Sequence, residues 1–269
     1  MSGLSIDEVE TYHRDGLVVP NYRLDAVTLA RLLEAFDNLL AKNPETDQNV
    51  IVCPHLSNYG PTPLVGDSVW LEMAQHAEIL DMVEQVMGPD ILLWGTTIFG
   101  KPAGHGQVIP WHQDAPHWPI KPEATTSVWI ALDPCTEGNG CLRYIPGSHH
   151  AKAHHVDIND EPEGQEAAVR LITDPETIDD AAVRGVLLEP GQISIHDTWL
   201  VHGSNPNLSQ HRRAAFVMRF MPASAFFDHT NGNEAAKRAG AVTDYADRPL
   251  YLMRGNNTGG SNLSIGHGR

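Results

Sequence analysis

The chain changes its hydrophobic rhythm near residue 90: apolar residues recur at helical spacing before it and in short β-type runs after it. Ser5-Ile6-Asp7-Glu8 has the form of a capping box, and Gly16 is placed to end the helix that box starts. Leu17-Val18-Val19 reads as a short strand closed by Pro20. Asp25 can cap a second helix, in which Leu29, Leu32, Leu33, Phe36 and Leu40 share one face. A Pro-, Asn- and Gly-rich stretch over about 43–67 reads as an ordered loop. Ile79, Leu80, Val83 and Val86 then predict a third helix over 69–87, stopped by Gly88-Pro89.

Beyond that point short runs rich in β-branched and aromatic residues cover 91–99, 125–132, 141–145, 185–188, 192–196 and 214–221, separated by Gly, Pro and Asn. Many short strands with turn signals between them predict a β-sandwich or barrel, so the chain reads as mainly β with flanking α. The acidic, polar segment over about 154–183 reads as a long insertion between strands and a candidate lid. The tail over 256–269, rich in Gly, Asn and Ser, reads as loosely ordered.

Composition narrows the function. The 269 residues suit one large domain, and 41% hydrophobic against 19% charged residues can form a sizeable core. The formal net charge is -16, which repels phosphate backbones and anionic membranes. A small-molecule substrate is therefore expected, with no nucleic-acid or membrane partner, and the oligomeric state stays open. The three cysteines, Cys53, Cys135 and Cys141, have no CxxC spacing, which fits a reducing compartment better than a disulfide framework. No secretory apolar run follows Met1, and a cytoplasmic protein is expected.

The 15 histidines carry information only through their arrangement. In Trp111-His112-Gln113-Asp114, an extended backbone would point His112 and Asp114 to the same face, one nitrogen and one oxygen ligand converging on one ion. A facial triad needs one further imidazole and leaves open positions for co-substrate and oxygen. Two histidines compete for that place, His196 and His202. His202 is favoured because Gly203-Ser204 leaves room beside it and Arg213 follows eleven residues later, at the start of an apolar strand. A guanidinium projecting inward offers parallel donors to a carboxylate, and a 2-oxo acid that chelates iron leaves its far carboxylate in need of them. Arg212 has the opposite facing and is expected to point outward; Arg219 shares the parity of Arg213 and is a second candidate interior cation.

Taken in order, Tyr12-His13-Arg14-Asp15-Gly16-Leu17, Trp111-His112-Gln113-Asp114, Asn139-Gly140-Cys141-Leu142 with Ile145-Pro146-Gly147-Ser148-His149, and His202-Gly203-Ser204 with Arg213 resemble the phytanoyl-CoA dioxygenase family over nearly the whole chain. The resemblance implies a double-stranded β-helix (jelly-roll, cupin-like) core: a single domain over 1–269, with a helical flank over 1–90, the core over 91–222 and a C-terminal extension over 223–269. It implies iron(II) held by His112, Asp114 and His202, with O2 and 2-oxoglutarate as co-substrates and Arg213 as the 2-oxoglutarate partner. Trp129 matches a co-substrate-pocket tryptophan, and Ser127 shares its face. The implied activity is hydroxylation of a C–H bond, releasing succinate and CO2.

Two alternatives share these motifs. The first is a halogenase or other oxidative tailoring enzyme on the same iron site; halogenases related to this family replace the carboxylate ligand with a small residue so that chloride can occupy its place, and Asp114 argues against halogenation. A non-catalytic cupin-like binding protein would have no reason to keep Arg213 at this spacing. For the substrate, the candidates are His55 and Tyr59 in the ordered loop, His105 before the His-x-Asp motif, His117 and Trp118 after it, and Arg219. Such a lining favours a small polar metabolite, an organophosphonate, amino acid or quaternary amine, over a long acyl chain.

Overall fold

The computed structural model describes residues 3–59, 64–153, 155–157, 171–231 and 245–267. Residues 154 and 158–170 of the expected insertion over 154–183 thus lie outside the described residues, as does 232–244 of the C-terminal extension.

Helix α1 (Ile6–Asp15) starts as the capping box predicts: Glu8 N donates to Ser5 Oγ at 3.3 Å and Ser5 N to Glu8 Oε2 at 2.7 Å. It ends at Gly16, whose φ of 79° is left-handed, a conformation that costs glycine little. Helix α2 (Ala26–Lys42) is capped by Asp25, which accepts from Val27 N and Thr28 N. The single helix expected over 69–87 is two, α3 (Val69–Ala74) and α4 (Ala77–Met87), with His76 extended between them. Burial explains the break. α3 buries Val69, Trp70, Met73 and Ala74, and an unbroken helix would next turn positions 77, 80, 81 and 84 inward. Asp81 and Glu84 instead pair with Arg254, and the break lets Ile79, Leu80, Met82 and Val83 face the core.

The main sheet is antiparallel, with strands in the order β1 (Leu17–Val18), β11 (Ile193–Asp197), β6 (Thr126–Ala131), β13 (Arg213–Pro222), β3 (Ile91–Lys101) and β15 (Tyr251–Arg254); β2 (Val50–Val52) also pairs with β3. A four-stranded sheet runs β10 (Arg184–Val186), β7 (Leu142–Tyr144), β12 (His202–Ser204), β4 (Ile109–His112). Two ribbons join β14 (Phe226–Phe227) to β5 (Ile120–Lys121), and β8 (His155–Asp157) to β9 (Leu171–Thr173).

Side-chain alternation divides the labour of the main sheet. Ile98, Phe216, Ile130 and Ile193 lie in register on one face and join the helices in a core, where the Trp70 and Phe216 rings stand 4.9 Å apart. The next row, Thr97, Val217, Trp129 and Ser194, faces the four-stranded sheet; Trp129, Ala215 and Val217 pack there with Leu142 and Val186. Two antiparallel sheets enclosing this second core make the jelly roll that the motifs imply. None of the helices among the described residues is long and apolar enough to cross a membrane.

Candidate functional site

β4 and β12 lie side by side in the small sheet with His112 and His202 in register, their ring centroids 4.2 Å apart. Strand β4 stops at His112, so Asp114 does not reach the site by strand alternation as expected. The chain turns, Asp114 adopts φ -70° and ψ -37° at the head of a 3-10 turn over Ala115–His117, and its carboxylate swings back towards both rings. Gln113 holds that turn: fully buried, it donates to Trp199 O and Ala151 O and accepts from Ala153 N.

The result is a buried cluster in which one ligand atom from each of His112, Asp114 and His202 lies within 4.8 Å of the others. His112 Nε2 is 3.5 Å from Asp114 Oδ1, and His202 Nε2 is 4.0 Å from Asp114 Oδ2. Each imidazole has its Nδ1 tied to the backbone carbonyl two residues earlier, His112 to Pro110 O at 2.8 Å and His202 to Leu200 O at 2.9 Å. With Nδ1 donating, each Nε2 presents a lone pair to the cluster. Burial pushes the His202 imidazole down to about 4, helped by the neighbouring His112. Burial opposes the charge of Asp114, but His112, His202 and Arg219 outweigh it and hold the carboxyl below the usual range. Two imidazole lone pairs and a carboxylate facing one another in a buried place repel unless a cation sits among them, so the donor set fits a divalent metal. His196 is close by, with its ring 5.2 Å from that of His202, but is not part of the cluster.

Gly203 has a stricter task than leaving room. A Cβ there would meet Ile109 O at 2.8 Å, so the bare glycine is what lets β12 approach β4 and bring the two histidines together.

Arg213 begins β13 and is buried at 3% exposure, its guanidinium 5.6 Å from the Trp129 ring centroid. It donates from Nη2 to Gly140 O and from Nη1 to Phe99 O, and among the described residues no carboxylate forms an ion pair with it. Burial lowers it to about 10, the direction expected of a cation awaiting an anion. Ser127 is buried on the same sheet face with no hydrogen-bond partner for its hydroxyl, one row from Trp129. Unsatisfied buried groups of this kind are uncommon and fit a polar ligand bound between the sheets.

The substrate candidates divide. Arg219 lies in register with Ser127 and His196, and its guanidinium stands 5.3 Å from the Trp118 ring centroid. His117 is buried with its ring 6.2 Å from that of His112. Tyr59 is buried and accepts a hydrogen bond from Arg248. His55 bonds Thr96 Oγ1, which points to the face of β3 opposite Thr97, and burial lowers its imidazole to about 3. His105 is exposed in the turn after β3 and the structure does not bring it to the cluster.

The model of the phytanoyl-CoA dioxygenase (PhyH) family matches residues 12–215, a span that contains the whole His-Asp-His cluster and Arg213. The chain belongs to the phytanoyl-CoA dioxygenase family. Bovine peroxisomal phytanoyl-CoA dioxygenase is 24% identical over 258 residues, covering 90% of this chain and 75% of the relative. Ectoine dioxygenase of Sphingopyxis alaskensis is 26% identical over 237 residues, covering 80% and 75%. Among solved structures, the non-haem monooxygenase ThoJ in its apo form superposes with a TM-score of 0.69 at 28% identity, covering 95% of this chain and 86% of that one. As a member of the family the protein is a 2-oxoglutarate-dependent dioxygenase, with iron(II), 2-oxoglutarate and O2 as its metal and co-substrates.

Family motifs did not single out three residues that the fold brings to this interior. Lys101 pairs in register with Arg213, and burial followed by the Arg213 charge lowers it to about 7. Trp94 lies within 4.5 Å of Trp118, centroid to centroid. Arg248 reaches the same wall from the C-terminal extension. Lys101 and Trp94 are hidden in an apolar strand, and Arg248 is marked by no local pattern beyond Arg-Pro.

Proposed function

We propose that this protein is a hydroxylase that inserts oxygen into a C–H bond of a small polar metabolite, with iron(II) held by His112, Asp114 and His202. The observation that carries the reading is the pair of imidazoles whose Nδ1 atoms are tied to backbone carbonyls while both Nε2 atoms turn towards Asp114. When bound, iron(II) and 2-oxoglutarate supply the activation of O2, with succinate and CO2 released. The chain's own residues do the rest. Pro110 O and Leu200 O fix the imidazole tautomers, Gln113 fixes the turn that carries Asp114, and Arg213 over Trp129 receives the distal carboxylate of 2-oxoglutarate with Ser127 nearby. The burial of His112, Asp114 and His202 shields the reacting centre from bulk water.

A carboxylate at position 114 favours hydroxylation over halogenation, and the inward Arg213 favours turnover over a cupin-like binding role. The substrate is a small metabolite rather than a nucleic acid or membrane lipid, consistent with the net charge of -16. The three free, buried cysteines support a cytoplasmic setting, and the chain is read as one domain over 1–269. The relatives' names, phytanoyl-CoA and ectoine dioxygenases, already span unlike substrates, so the family does not by itself choose one. The test is substrate-stimulated turnover: an organophosphonate, amino acid and amine panel is screened for succinate formation, with product mass as the second readout. A gain of one oxygen in the product, matched by succinate, is expected; a chlorinated product, or no metal-dependent succinate with any compound, counts against the reading.

A further inference from the structure

We infer that the interior beside the metal cluster receives an oxyanion borne by the substrate (carboxylate, phosphonate or sulfonate), bound by Arg219 with Arg248 next to it. The inference rests on the hydroxylase reading and names its substrate class.

Gly95, Arg219, Ser127 and His196 form one row across β3, β13, β6 and β11. That row ends beside the metal cluster, since the His196 and His202 rings are neighbours. The Arg219 guanidinium donates from Nη1 to Thr97 Oγ1 at 2.7 Å, while its buried Nε has no partner. Arg219 is half-buried rather than sealed, so a ligand can reach it.

Arg248 approaches from the other side. It is 3% exposed, donates from Nε to Tyr59 Oη at 2.9 Å and from Nη1 to Cys53 Sγ at 3.1 Å. Both guanidinium carbons lie 5.9 Å from the centroid of the same Trp94 ring, so the two cations share one aromatic wall. The sequence makes room for this. A Cβ on residue 95 would stand 3.2 Å from Arg248 Nη1, and the position is glycine.

Among the described residues neither guanidinium forms an ion pair with a carboxylate. Asp114 is the acidic group that acts on Arg219, and a bound metal would claim its charge. Iron(II), Asp114, a doubly negative 2-oxoglutarate and Arg213 together sum to no net charge. Arg219 and Arg248 are then left as two like charges in a largely water-excluded place, an arrangement that is costly unless an anion joins them. An arginine fork offers carboxylate, phosphonate and sulfonate oxygens parallel donors. The same geometry argues against a quaternary amine as the buried group. The aromatic faces that would cradle such a cation are already covered by the protein's own guanidinium groups, Trp94 and Trp118 by Arg219, and Tyr59 and Tyr245 by Arg248.

The test is binding to zinc(II)-loaded protein saturated with 2-oxoglutarate, read by calorimetry and by tryptophan fluorescence, with propionate, ethylphosphonate, ethanesulfonate and tetramethylammonium as probes. At least one oxyanion should bind saturably to the wild type, about thirtyfold more weakly to Arg219→Gln and to Arg248→Gln. Arg219→Lys, which keeps the charge but loses the fork, should fall between, and tetramethylammonium should not bind. Equal oxyanion binding by wild type and Arg219→Gln, binding of tetramethylammonium, or binding of no oxyanion at all would overturn the inference. Anaerobic iron(II) titration with 2-oxoglutarate separates this from the parent reading. Arg219→Gln should keep the visible band of the wild type. Loss of the band in that variant alone would assign Arg219 to the co-substrate and sink the oxyanion site, whereas a wild type without the band would sink the hydroxylase reading.

Discussion

His112 and His202 face each other across β4 and β12, and each has its Nδ1 bonded to the carbonyl two residues before it in its own chain segment. The same local device used twice fixes two ring planes and leaves two Nε2 lone pairs beside one carboxylate. A metal ion is what such an arrangement binds. A ligand that binds only the folded state at a hundred times its dissociation constant adds about 2.7 kcal/mol of stability. Cobalt(II) or zinc(II) should therefore raise the melting temperature of the metal-free protein by several degrees, and His202→Ala should abolish the rise. An equal rise in that variant would place the metal elsewhere.

The glycine between the strands gives a sharper test, because it leaves all three ligands in place. Gly203→Ala puts a methyl group against Ile109 O and must push β4 from β12. Loss of support around a metal ligand typically lowers affinity by about 10–100-fold. Cobalt(II) titration of Gly203→Ala should show a loss of that size in a protein that is still folded by circular dichroism; unchanged affinity would mean that the strand spacing does not set the site.

Arg213 is expected to act on 2-oxoglutarate and not on the metal. A buried hydrogen bond to a charged group contributes about 1.5–3 kcal/mol, so Arg213→Gln should raise the 2-oxoglutarate requirement by about tenfold or more. Metal affinity without co-substrate should be unaltered. The opposite pattern, weaker metal binding with an unchanged 2-oxoglutarate requirement, would remove Arg213 from the co-substrate site.

How much of this was legible in the sequence depends on how local each signal is. The capping box at Ser5, the stop at Gly16 and the cap at Asp25 involve neighbours in the chain, and all three are found where the pattern places them. The break at Gln75-His76 was hidden, because it depends on which way Asp81 and Glu84 turn to meet Arg254, far off in sequence. Likewise the motif Trp111-His112-Gln113-Asp114 announces its chemistry, but the turn that delivers Asp114 is held by Gln113 bonds to Ala151, Ala153 and Trp199. Arg212 turns outward to Asp133 and Asp37, as strand parity from Arg213 requires. Arg248 owes its place to a glycine and a tryptophan on a distant strand, and no spacing rule reaches that far.

The cysteines provide a pH prediction. Burial pushes the Cys135 thiol up to about 12, whereas an unfolded thiol ionises near about 8.5. Between those values unfolding releases a proton, so this group's contribution to stability falls as pH rises through the window and is undiminished below it. At pH 8 the native protein should resist a disulfide thiol reagent, and all three cysteines should react once it is unfolded. Rapid labelling of Cys135 in the native protein would contradict its placement.

In the proposed reaction iron(II) and 2-oxoglutarate meet at His112, Asp114 and His202. Anaerobic addition of iron(II) and then 2-oxoglutarate to the metal-free protein should produce a weak visible metal-to-ligand charge-transfer band, absent in His202→Ala. No band from iron-replete wild-type protein, or an undiminished band in His202→Ala, would contradict it.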